Sequence, residues 1–410
     1  MRKSHASLRP RKQSAGLSLI ELMIAMTIGL LLVIGIIQIF SASRATYQMQ
    51  DGVARIQENG RFITQFLQKQ LRMGGYMGCG SDLERGRQLT FVNHLDTYAG
   101  NTVDDAHRFQ RPVEGFAGTD ATELASLLPS GITPLTDSDV LVLRTASADS
   151  VPVLEVSQDA GHLILTATLG TDATSVFSDS SGAAIPYFLE NCRSSDVFVG
   201  TLTGTSLVAN GKSTENVYLD TSVTTCGVGG CPWDFRISNA FLNAPNGGIT
   251  PTESGFAASS KQLNAEVHRA EFTMVYVAKN PTTQQPVLYV LQSSRKANAL
   301  ADPEEMADGI EALKLLYGVD TDNDGQVDKY RTAAQVAAGA TGAALDANWS
   351  QVLSIRIGML LRSPESAPGA TNPDGGYKVL GLPITTAPND GHLRQVYETT
   401  VAVRNRVFTS

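Results

Sequence analysis

Glu21 is the sole charge between Leu17 and Phe40, a run of 24 residues that apart from Gln38 is otherwise apolar or small. A carboxylate this deep in lipid costs on the order of 2.5–3.5 kcal/mol, which normally implies a function. Five residues earlier, Gly16-Leu17 forms the only processing-like junction. It lies in front of the apolar stretch, whereas an ordinary secretory signal is cut behind it. The apolar segment therefore stays with the mature protein. A second constellation is Asp320-Thr-Asp322-Asn-Asp324-Gly325-Gln326-Val-Asp328. It supplies oxygen donors at positions one, three, five and nine of a calcium loop, Gly at six for the turn, and the Gln326 carbonyl at seven. Position twelve is Arg331 in place of the bidentate Glu, so a full EF-hand is absent and binding in the weaker, extracellular range is expected. An Asp- and Asn-rich turn capping its own backbone is the alternative reading.

Four cysteines, Cys79, Cys192, Cys226 and Cys231, form the third group. An even count in an oxidising compartment favours two disulfides, and three connectivities exist. The flexible loop of Cys226-Gly-Val-Gly-Gly-Cys231 can close on itself, which leaves Cys79 to Cys192. Zinc fits poorly, because one pair is separated by four residues, no second close pair exists and no His residues cluster nearby. Enzyme motifs also fail. Gly211-Lys212-Ser213 has Ser206 where a phosphate loop needs Gly, and the six His are scattered without a triad partner by motif.

The elements that must position these residues follow from patterning. Arg2, Lys3, Arg9, Arg11 and Lys12 precede Gly16 with no acid among them, which keeps the leader, residues 1–16, cytoplasmic and sends the C-terminus across the membrane. Residues 17–40 as a helix would span about 36 Å, enough to cross a hydrocarbon core of about 30 Å. A plain single-span anchor would explain that length but neither Glu21 nor the glycine ahead of it. Residues 41–75 continue as an amphipathic helix, with Val53, Ile56, Gly60, Ile63, Leu67 and Leu71 at steps of three or four and Gly74-Gly75 as the stop. Residues 76–410 read as one β-rich head, with strands at Val140–Arg144, Val153–Val156, Leu163–Ala167, Val197–Leu202, Asn216–Leu219, Val352–Leu361 and Val396–Val403. A hairpin is expected from Ala270–Ala278 and Pro286–Gln292, while Met306–Leu316 fits helix or strand and is read by preference as a short helix running into a strand. Ala333–Ala347 reads as a loop or a marginal helix. The class is thus α+β: a long helix, half membrane-spanning and half amphipathic, carrying an antiparallel β-rich head.

Composition supports an exported globular domain, at 410 residues with 42% hydrophobic and 18% charged. Removing the leader's five positive charges takes the formal charge from −8 to −13. That balance speaks against a nucleic-acid-binding surface.

The basic leader, Gly16, and the helix with Glu21 at its fifth position resemble a class III prepilin signal, the mark of type IV pilins and their relatives. The resemblance continues through Met73-Gly-Gly-Tyr-Met-Gly-Cys79, Asp196-Val-Phe, Leu316-Tyr-Gly-Val-Asp-Thr-Asp-Asn-Asp-Gly325, Trp349-Ser-Gln-Val-Leu-Ser-Ile-Arg356 and Val401-Ala-Val-Arg-Asn405. Together these blocks resemble the PilW family of type IV pilus minor pilins. The resemblance implies cutting after Gly16 by a prepilin peptidase, N-methylation of Leu17, and a meeting of Glu21 with a subunit's N-terminal amine during assembly. Leu17 stands where most members have Phe, as in minor subunits. It further implies storage in the inner membrane, assembly with other minor pilins and the major pilin, association with the pilus tip and its adhesin, and indirect support of adhesion and twitching motility. The J-type pseudopilin of type II secretion has a similar role and is the runner-up, and a tip-located ligand-binding module is the competing class.

Overall fold

The computed structural model describes residues 18–78, 90–93, 108–120, 124, 127–128, 132–159, 162–169, 185–190, 194–209, 212–219, 266–293, 302–367, 369–385 and 387–403. Helix α1, Leu19–Met73, runs unbroken through 55 residues, about 82 Å at 1.5 Å per residue. It ends where expected: the Gly74 N–H donates to the Gln70 and Leu71 carbonyls at 3.0 and 3.3 Å, and Gly75 takes φ 76°. The buried face comprises Gly52, Ile56, Gly60, Ile63, Leu67 and Leu71. Val53, placed on that face by the sequence pattern, stands 36% exposed, and Gly52 takes its place against the head.

The first sheet collects β1 (Thr90–Asn93), β2 (Val113–Ala117), β3 (Asp139–Asp159), β4 (His162–Leu169), β5 (Ile185–Glu190), β6 (Ser194–Ala209), β7 (Lys212–Leu219), β8 (Glu266–Lys279), β9 (Pro286–Gln292) and β10 (Glu304–Asp308). Its order is β10-β9-β8-β5-β6-β7-β4-β3-β2, and an additional β3–β8 pairing returns the path on itself. Every pairing is antiparallel except that of β1 with β6. The two segments expected at Val140–Arg144 and Val153–Val156 are parts of the single strand β3. The hairpin expected at 270–292 is β8–β9, in which Asn280 Oδ1 accepts the Thr282 and Thr283 amides at 2.8 and 2.9 Å to set the turn.

The second part contains β11 (Ile310–Val319), β12 (Lys329–Arg331), α2 (Ala333–Ala337), α3 (Gly342–Ser350), β13 (Val352–Ser366), β14 (Tyr377–Val379), β15 (Leu382–Ile384) and β16 (His392–Ala402). A four-stranded antiparallel sheet has the order β12-β11-β13-β16, and β14–β15 is a separate hairpin. The small-residue stretch 333–347 is helical, split between α2 and the start of α3.

Met306–Leu316 corrects the sequence expectation. It is strand on both sides of Gly309, divided between β10 and β11. The Glu-Ala-Leu-Lys-Leu-Leu composition favours helix locally, but pairing of β11 with β13 along most of its length overrides that weak preference. Between the strands, Gly309 is where the chain leaves one sheet for the other. Its N–H donates to the Pro286 carbonyl at 2.9 Å, and its carbonyl accepts the Arg362 N–H at 2.8 Å.

One core joins these parts. Ile56, Ile63, Leu67 and Leu71 of α1 pack with Val113, Leu141, Val275 and Val290 of the first sheet and with Leu313, Leu315, Ile355 and Ile357 of the second. Phe116, Val140, Phe272, Met274 and Leu291 lie in a separate cluster with Leu124 and Leu127. Ser138 Oγ and Asp139 Oδ2 accept the Leu313 and Leu315 amides at 3.0 and 2.8 Å, fastening the start of β3 to β11 of the other sheet. Deeper in, Glu114 receives Arg111 at 2.7 Å and Arg144 at 2.9 Å, all three side chains being almost wholly buried, and Arg111 also pairs with Asp346 of α3.

Gly309 has φ 76°, and a Cβ there would lie 2.8 Å from the Arg362 carbonyl oxygen. Gly309→Ala therefore combines a left-handed backbone with a clash against main chain. It is expected to destabilise the protein by about 1–3 kcal/mol, read as a lowered thermal midpoint of the full chain in detergent.

Candidate functional site

The N-terminal half of α1 and its C-terminal half face different surroundings. Among the described residues, no side chain from Leu19 to Phe40 is buried. The helix first meets the head at Gly52, where a Cβ would stand 3.2 Å from Ser363 Cβ. Roughly 50 Å of helix therefore projects bare, including Tyr47 and Met49 beyond the apolar run. Above that point Asn59 Nδ2 donates to Asp308, and Gln68 Nε2 to Thr399 Oγ1 at 3.1 Å. The Gly60 face seats the Tyr397 ring. Gly16 and Leu17 lie outside the described residues. Glu21 occupies the first turn of α1, and its Oε2 accepts the Ser18 amide at 3.0 Å. A carboxylate there satisfies an otherwise unpaired helix N–H and complements the positive end of the helix dipole.

The Asp-rich segment is the connection between β11 and β12, whose pairing begins at Val319↔Lys329. Asn323 and Gly325 adopt left-handed backbone, at φ 60° and 83°. Asp320 is 2% exposed. Its N–H donates to the Gln351 carbonyl at 3.0 Å and its Oδ2 accepts the Gly325 N–H at 2.8 Å, while Oδ1 is buried without a hydrogen-bond partner. Asp328 Oδ2 accepts both the hydroxyl and the amide of Thr321, at 2.6 and 2.7 Å, which holds its carboxyl below the ordinary range. Carboxylate oxygens of Asp320, Asp322 and Asp328 lie within 4.8 Å of one another. Asp324 is engaged otherwise: its oxygens accept the Gln326 amide and Nε2 at 2.7 and 3.0 Å. Of the five residues that the sequence pattern selected, the fold brings three together as a potential ligand set and pairs Asp324 with Gln326.

All four cysteines lie outside the described residues, but neighbours of two of them meet. Gly78, with φ 72°, lies so close to the Glu190 carboxylate that no Cβ would fit. Glu190 in turn contacts His268, a residue that sequence motifs could not single out. The ring Nδ1 lies 2.8 Å from the Ser147 carbonyl and Nε2 lies 3.1 Å from Glu190 Oε1, with Glu266 Oε2 at 3.8 Å. Tyr76 packs edge-on against the ring. A carbonyl at Nδ1 and a carboxylate at Nε2 are both acceptors, so the pocket suits the doubly protonated ring. Burial opposes that charge, but the hydrogen bonds to Glu190 and Ser147 and the charges of Glu190 and Glu266 outweigh it, so the His268 pKa is raised above 6.5. A raised folded-state value makes this contribution to stability fully present below the unfolded pKa and removes it as pH rises through the folded one. The thermal midpoint of the full chain is expected to fall as pH rises above about 6.5, and His268→Asn should flatten that slope in melts run across the same pH series.

Comparison with known proteins agrees at both ends of the chain. Residues 275–405 match the family model described as Type IV Pilus-assembly protein W, and residues 11–37 match the prokaryotic N-terminal methylation motif. No curated protein matches the chain. Among solved structures, a type IV-like pilin from Thermus thermophilus is similar at 16% identity over 34% of this chain and 70% of that one, with a TM-score of 0.21. The methylation motif covers Glu21 and the first part of the bare helix, and the C-terminal match begins within β8 and takes in β9 to β16, including the Asp-rich loop. A prepilin methylation motif thus leads into an exposed apolar helix, and a segment similar to the PilW family of type IV pilus-assembly proteins forms the sheet on which that helix docks.

Proposed function

We propose that this protein is held in the inner membrane by α1, with its head on the periplasmic side, until it joins other minor pilins to prime a type IV pilus and takes a position at or near the tip. The observation that carries this reading is the divided helix: a bare apolar half with one carboxylate, continuous with a half fastened to the head. So much exposed apolar surface requires cover. Lipid supplies it before assembly and the helices of neighbouring subunits supply it afterwards. A neighbour's N-terminal amine would neutralise Glu21 in the apolar fibre core, where neither charge tolerates isolation. Contacts with the major pilin and with a tip adhesin follow from that position, as does indirect support of adhesion and twitching motility. The role is structural and involves no catalysis.

Processing and assembly separate in two variants. Replacing Gly16 by a bulky residue is expected to leave an uncut precursor in the membrane fraction, because the peptidase accepts only a small residue there. Glu21→Ala should be cut normally and fail to enter fibres, as read by intact mass of the membrane form and by its absence from sheared fibres. A mature N-terminus other than Leu17 would contradict the assignment. Loss of surface fibres on deletion supports a pilus subunit, whereas intact fibres with blocked protein secretion would identify a pseudopilin.

The cysteines are proposed to form Cys226–Cys231 and Cys79–Cys192. For the second pair the support is the approach of Gly78 to Glu190, one and two residues from the respective cysteines. Such a bridge would tie the end of α1 to β6 in a subunit pulled along its axis, and a closed loop of this length stabilises by about 5 kcal/mol in chain-entropy terms. A non-reducing peptide map should recover both linked pairs and no free thiol. Crossed pairs would refute this connectivity.

A further inference from the structure

We infer that the loop between β11 and β12 is a calcium site in which Asp320, Asp322 and Asp328 are the protein carboxylate ligands. The loop has an unresolved electrostatic demand. Asp320 is fixed by its main-chain bond to Gln351 and by the Gly325 amide on Oδ2, yet Oδ1 is buried and receives no donor. Buried polar atoms are nearly always partnered, and a lone carboxylate oxygen is among the costliest exceptions. Instead of a donor, the Asp320 carboxylate has two further carboxylates beside it, those of Asp322 and Asp328. Three anions within 4.8 Å repel one another. Hydrogen bonds within the loop go to Asp320 Oδ2, Asp322 Oδ1 and Asp328 Oδ2, and none reaches Asp320 Oδ1.

The chemistry of the donors selects the ion. All are hard oxygens, with neither thiolate nor imidazole in the group, which disfavours zinc. An irregular loop tolerates the variable coordination of calcium better than the strict octahedron of magnesium. Asp324 is excluded from the ligand set by its two bonds to Gln326. Three carboxylates without the bidentate Glu of an EF-hand imply affinity at the weak end, with Kd about 10⁻⁴–10⁻³ M, a range that extracellular calcium saturates without control by the cell. Since Asp320 also bonds to Gln351 at the entrance of β13, ion binding would secure both the β11–β12 turn and the start of the strand on which α1 docks.

The test uses the full chain in detergent micelles, with calcium, with magnesium and with chelator. Calcium at millimolar concentration is expected to raise the thermal midpoint relative to chelator and to give a saturable heat in calorimetry, with magnesium much less effective. Asp322→Asn, an exposed change that keeps the side-chain shape, should weaken calcium binding by about tenfold or more. Asp324→Asn, in the same loop, should bind as the wild type does. If Asp322→Asn does not fold, Asp328→Asn replaces it, because the amide oxygen can still accept from Thr321. Absence of both shift and heat, an equal response to magnesium, or equal calcium binding by the Asp322 variant would each overturn the site.

Discussion

Burial of one face of α1 is the constraint on which the other features rest. Ile56, Ile63, Leu67 and Leu71 enter a core shared by both sheets, and Gly52 and Gly60 remove side chains where Ser363 and Tyr397 come closest. Each large apolar side chain contributes about 1.5–3 kcal/mol on full burial, an upper figure because the unfolded chain already hides part of that surface. The consequence is geometric as well as energetic. A helix pinned along its C-terminal half delivers its N-terminal half as a rigid projection, and Glu21 is carried at the far end of it.

The head is held together by polar groups as well as apolar ones. Glu114 sits between Arg111 and Arg144 with all three buried, and Arg111 extends the network to Asp346 on α3. On the second sheet, Arg394 grips Glu311 through two nitrogens, while Arg362 and Asp390 complete that cluster. A buried ion pair adds little net stability over an apolar substitute, but losing one member leaves an uncompensated charge. Such networks therefore penalise alternative packings of the two sheets more than they deepen the native one. His268 and Glu190 play the same part where β5 meets β8, with the added feature that their interaction depends on the ring's proton.

The Asp-rich loop differs in kind from these closed networks. Arg144 and Glu114 satisfy each other, whereas Asp320 keeps an unpaired oxygen beside two more anions. Among the described residues, the buried Arg111, Glu114 and Arg144 are paired, whereas this turn gathers carboxylates with no cation of the chain among them. An external cation is the ordinary way to supply what such a turn lacks.

The sequence by itself determined the features that depend on near neighbours. An apolar run long enough to cross a bilayer, the single carboxylate within it, the helical stripe from Ile56 to Leu71 and the Asp spacing of the loop are all legible within a few dozen residues, because helix periodicity and loop chemistry are local. Most expected strands were legible for the same reason. Tertiary structure alone decided what depends on distant partners. Met306–Leu316 has helix-forming composition and becomes strand because β9 lies alongside its first part and β13 alongside its second. The stripe's first position moved from Val53 to Gly52 because the head approaches the helix from that side. His268 meets Glu190 across 78 residues of chain, and no local pattern encodes such a meeting. Asp320 and Asp324 look equivalent in the motif, yet one is buried against Gln351 and the other turns to Gln326. Packing and register assign those roles, and they emerge only when segments far apart in the chain compete for the same space.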